Sequence, residues 1–108
     1  MEQVASLVAD QQQVTATLGV VWEVVDDPNE AGPTAAAYLA VDGQSAFVLE
    51  AAIYVPEIGV TLYAAGDFAQ ARRLFLDVSG LEPSAFDYVR EGDEWFRRVP
   101  QGRPIEYP

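Results

Sequence analysis

The sequence predicts an α+β domain: an antiparallel sheet of four to six strands with one main helix packed on one face. Three observations carry this. Residues 14–25 alternate with period two, Asp42-Gly43 stands between two apolar runs, and residues 67–79 repeat apolar positions at helical spacing. With 108 residues the chain forms one domain and has no room for two.

Element by element, Val4, Leu7 and Val8 fall at helical spacing and predict a short N-terminal helix over residues 3–12. From Val14 onward, Val14, Ala16, Leu18, Val20, Trp22 and Val24 alternate with their neighbours as a long strand, Gly19 marking a bulge or bend. Residues 26–33 (DDPNEAGP) are dense in turn formers and predict an exposed loop. Residues 34–41 and 45–55 flank Asp42-Gly43, a pair suited to a tight hairpin turn because both residues tolerate positive φ. Ile58, Val60, Leu62 and Ala64 alternate as a further strand.

Asp67 is a good N-cap for the helix that follows, Gln70 sits at the capping-box position, and Gly80 suits the left-handed C-cap. Phe68, Ala71, Leu74, Phe75 and Val78 make its apolar stripe. Beyond Pro83, residues 86–90 and 94–99 predict a hairpin through a three-residue loop. That loop sets Arg90 opposite Glu94, Asp87 opposite Arg97, Val89 opposite Trp95 and Tyr88 opposite Phe96. The competing reading is a short helix over 84–91. Residues 100–108, with three prolines, predict an extended tail.

Composition narrows the chemistry. Cysteine, histidine and lysine are all absent, which excludes disulfides, thiolate and imidazole metal sites, and the Ser-His-Asp triad. The formal charge is -11, unevenly placed. Residues 1–71 hold ten acids and no base, a net -10, while the remaining seven acids and six arginines net -1. Such a field repels nucleic-acid phosphates and anionic lipid, and raises the on-rate of a basic protein. No apolar run is long enough for a membrane span. The acid at position 2 and the missing apolar core do not fit a signal peptide, so the expected compartment is the cytoplasm.

Function is then read from surfaces. On one side of the third strand lie Phe47, Leu49, Ala51, Ile53 and Val55, and on the other Ala46, Val48, Glu50, Ala52 and Tyr54. Both sides are apolar whichever register holds, whereas a sheet with one wet face alternates more cleanly. A ten-residue helix is about 15 Å long and a four-stranded sheet about 19 Å wide, so one helix leaves part of a face uncovered. Small residues beside Tyr38, Tyr54 and Tyr63 suit a flat protein interface, with Asp26, Asp27, Glu30, Asp42 and Glu57 steering a basic protein partner. Arg72, Arg73, Arg97 and Arg98 are candidates for pairing with the acidic half of a second copy.

Two other classes compete. A structural assembly subunit, as in a virion or shell, uses the same self-association. A small ligand-enclosing enzyme would use Glu50, the one charge inside a long apolar strand, as a base with Tyr54 or Tyr63 as donor. The run from Asp27 to Gly32 begins like a calcium loop but has Ala31 and Tyr38 where ligands are needed, so no metal and no cofactor is expected. In size and charge the chain resembles toxin-neutralising immunity proteins and secretion chaperones. That likeness is compositional and transfers no residue.

Overall fold

A computed structural model describes residues 1–25, 33–53 and 59–97. The elements run β1 (Glu2–Leu7), α1 (Gln11–Leu18), β2 (Trp22–Val25), β3 (Thr34–Val41), β4 (Gln44–Ala52), β5 (Thr61–Ala64), α2 (Phe68–Ser79), a 3-10 turn (Pro83–Ala85), β6 (Phe86–Glu91) and β7 (Glu94–Arg97). All seven strands form one antiparallel sheet in the order β2-β3-β4-β5-β1-β6-β7. The α+β class holds, with one strand more than the upper end of the expected range.

The N-terminus corrects the expectation most sharply. Residues 2–7 are a strand near the middle of the sheet, not a helix. Pairing with β5 skips from Gln3 opposite Tyr63 to Ala5 opposite Leu62, so Val4 is the extra residue of a bulge. The bulge breaks the alternation and buries both Val4 and Ala5 along with Leu7. Val4 and Leu7, both buried, lie three apart and imitate helical spacing, whereas Val8, the third residue of the predicted stripe, is exposed.

The predicted long strand over 14–25 is instead α1 followed by the four-residue β2. Local capping outweighs the alternation. Asp10 accepts from the Gln13 backbone N–H at 2.9 Å, and the Gln13 side chain accepts from the Asp10 N–H at 2.9 Å. Gly19 closes the helix at φ +67, a left-handed C-cap rather than a strand bulge. The α2 helix matches expectation at both ends: Asp67 caps the Gln70 N–H at 2.9 Å and Gly80 adopts φ +74. The reciprocal side-chain bond expected from Gln70 belongs to α1 instead.

Both hairpins form; the sequence left the register of the first open, and the second takes a register other than the predicted one. Asp42 and Gly43 lie at φ +52 and +79, joining β3 to β4 through the tight turn that such a pair favours. In the second hairpin Tyr88 faces Arg97, Val89 faces Phe96, Arg90 faces Trp95 and Glu91 faces Glu94. This is a shift from the predicted pairing, because Gly92 at φ +61 permits a two-residue turn with Asp93.

Register places one apolar row across every strand: Trp22, Ala37, Leu49, Leu62, Ala5, Val89 and Phe96. Directly opposed residues share a face, and both helices pack on this one. Val14 of α1 and Ala71 and Phe75 of α2 belong to the same core cluster as this row. Phe75 anchors α2 edge-to-face on Phe47, with ring centroids 5.5 Å apart, and lies beside Phe86. The Trp22 indole N–H donates to Thr15 Oγ1 at 2.7 Å, tying β2 to α1.

The α2 stripe is rotated from the predicted one. Ala71, Arg72 and Phe75 are buried, whereas Leu74 and Val78, expected inside, are 41% and 42% exposed. Gly59 has a packing role. A Cβ there would stand 1.9 Å from the Leu7 carbonyl oxygen, so the close approach of β1 requires glycine.

Candidate protein-interaction surface

The face opposite the helices is built by the same register. Its central row reads Glu23, Ala36, Glu50, Thr61, Ser6, Tyr88 and Arg97 across all seven strands. The adjoining row places Tyr38 opposite Val48, Val48 opposite Tyr63 and Tyr63 opposite Gln3. Tyr38 and Tyr63 therefore sit two strands apart, about 9.5 Å. The face is a mixture of small, aromatic and hydrogen-bonding residues. Both described helices lie on the other side.

Tyr38 is 52% exposed and projects from an eight-residue strand between buried alanines and the Asp42 turn. Tyr63 is half-buried, and its hydroxyl accepts from Gln3 Nε2 at 3.0 Å, which fixes the ring against the sheet. Asp42 is exposed at the turn that ends β3. Of the predicted contact residues, Tyr38 and Tyr63 are thus brought into one row, with Asp42 at its margin. Asp26, Asp27, Glu30, Tyr54, Glu57 and Arg98 lie outside the described residues.

Glu50 is half-buried, set between Ala36 and Thr61 in register, and already engaged in an interaction. Among the described residues, surface clefts lie elsewhere. One of about 530 Å³ lies beside α1 at Asp10, Gln12 and Thr15, and one of about 360 Å³ lies by Met1, Gly66, Gln70 and Leu74. Glu50 is not among the described residues lining either. Among the described residues no three carboxylates are grouped to hold a metal ion.

The arginines divide. Arg72 was expected at the surface as a pairing residue but is 8% exposed. Its Nη1 donates to the carbonyls of Val4 at 3.1 Å and Arg90 at 2.7 Å, and its Nη2 to Glu91 Oε1 at 2.5 Å. Those bonds are spent within the chain. Arg73 is exposed on the outer side of α2. Arg97 takes the last register position of β7, opposite Tyr88.

Sequence reasoning missed Gln3, Ser6, Thr61 and Tyr88 as members of this face. Gln3 and Ser6 were hidden by the helix prediction for the N-terminus. Tyr88 was hidden by the shifted hairpin, and a Gly-x turn at Gly92-Asp93 was the signal that would have placed it.

Comparison with protein-family models, curated proteins and solved structures gives no match to this chain. No helix among the described residues is long and apolar enough to cross a membrane.

Proposed function

We propose that this chain is a small, non-catalytic protein-interaction module that docks a basic protein partner on the sheet face opposite α1 and α2. One observation carries the reading: α1 and α2 share a single face, leaving Tyr38 half exposed on the other beside Val48 and Tyr63. Tyrosine suits such a role because it supplies a large apolar body with a polar tip at low entropic cost. The net -10 of residues 1–71, which include β2 to β5, selects for a partner of opposite sign. A cytoplasmic setting and self-association through Arg73 belong to the same reading.

Affinity capture from lysate with immobilised wild type and Tyr38→Glu tests it. A retained protein of net positive charge, lost at least tenfold by the variant and weakened by salt, supports the reading. Retention that ignores Tyr38, or no retained basic protein, overturns it.

A further inference from the structure

We infer that β2 is a strand-addition site for an extended, basic segment of the partner. The inference rests on the interaction reading above and names where one part of that partner sits. Among the described residues β2 pairs only with β3 and ends the sheet, so alternate backbone N–H and C=O groups of residues 22–25 face outward. A row of backbone donors and acceptors specifies the conformation of its occupant, because only an extended strand matches their spacing.

Edges of this kind are normally guarded by charged side chains, lysine above all, by proline, by a bulge or by short strand length. The two edges of this sheet differ. β7 carries Glu94 and Arg97 at its ends. Both edge strands are four residues long and pair without a register shift, but β2 carries a single charge, Glu23. Beside it, Val21 is 80% exposed, Val24 73% and Val25 38%. Trp22 and Val24 point to the helical face and Glu23 and Val25 to the other, in line with their partners on β3. An added strand therefore meets an apolar pair on one side and a valine with a carboxylate on the other.

Charge decides between occupants. A second copy offering its own β2 brings two base-free, acid-rich halves together. A segment alternating lysine or arginine with β-branched residues places a cation opposite Glu23 and apolar groups against Trp22 and Val24, without that repulsion. Glu23 also heads the row across the described strands on the face opposite α1 and α2, so the added strand extends the surface assigned to the partner.

The test titrates two synthetic peptides of equal charge into ¹⁵N-labelled protein. One alternates lysine with valine; the other alternates lysine with proline, which cannot form a ladder. The valine peptide is expected to bind at least tenfold more tightly, to slow amide exchange at residues 22–25, and to weaken at least fivefold in Glu23→Lys. Glu23→Gln is a milder second variant, and thermal unfolding of both confirms the fold. Equal binding of both peptides, or equal protection of β7, overturns the site as mere charge attraction. Perturbation confined to Tyr38, Val48 and Tyr63 overturns the edge but leaves the interaction reading standing. No binding by either peptide overturns both. Concentration-dependent protection of β2 without peptide assigns the edge to a second copy and overturns the basic segment.

Discussion

Arg72 Nη1 donates to the carbonyl oxygen of Val4, the residue that the β1 bulge leaves without a partner on β5. The neighbouring carbonyl is served in the same way, since Arg90 Nη1 donates to Gln3 O at 3.3 Å. A bulge frees backbone groups from the ladder, and buried carbonyls left unpaired are costly. Two arginines thus stabilise an irregular strand near the middle of the sheet. Arg72 also donates to the Arg90 carbonyl and to Glu91, which offsets the like-charge register of Glu91 opposite Glu94.

Replacing Arg72 by Met is expected to cost about 3 kcal/mol, mostly from the two stranded carbonyls. Arg72→Lys recovers only part, because one ammonium cannot span both carbonyls and Glu91. Glu91→Gln costs under about 1 kcal/mol, since that carboxylate is more than half exposed. Urea denaturation ranks the three; an Arg72→Met midpoint equal to wild type contradicts the account.

Gly59→Ala is expected to destabilise by about 2 kcal/mol or more, because its Cβ collides with the Leu7 backbone, which cannot give way as a side chain does. For a domain of this size that lowers Tm by about 10 °C. Calorimetry showing an unchanged Tm rejects the close approach of β1.

Asp10→Ala removes the half of the α1 capping box made by the Asp10 carboxylate, leaving the residue-10 N–H free to donate to Gln13, and is expected to cost about 1 kcal/mol, while Asp10→Ser retains most of the cap. Helical content followed by circular dichroism during thermal unfolding separates the two.

At the β3-β4 turn, Gly43→Ala forces a side chain to φ +79 and should cost about 1 kcal/mol. Asp42→Asn, equally tolerant of positive φ, should stay within about 0.5 kcal/mol of wild type. Reversal of that order in denaturant midpoints excludes the assigned turn.

Tyr38→Glu should change stability by less than about 0.5 kcal/mol, as expected of a half-exposed site away from the core. Its effect belongs to partner retention. For self-association, light scattering of wild type and Arg73→Glu at low and high salt gives the measure, and a salt-independent monomer removes that part of the reading.

The sequence made its strongest features legible where signals were local. Asp42-Gly43 specified a hairpin because two adjacent residues tolerate positive φ, and Asp67 with Gly80 bounded α2 because caps act within one turn. Alternation failed where a local or long-range event interrupted it. Asp10, Gln13 and Gly19 outweighed a period-two pattern to make α1, and the Val4 bulge disguised a strand as a helix.

By itself the sequence determined the α+β class, the acid-rich half and the two apolar sides of β4, since these depend on composition and short-range pattern. Only the tertiary structure decided that α1 and α2 share one face, that Arg72 faces inward, and that β2 ends the sheet among the described residues. Those outcomes depend on strand order and register, which are set by contacts between residues far apart in the chain and leave no local trace.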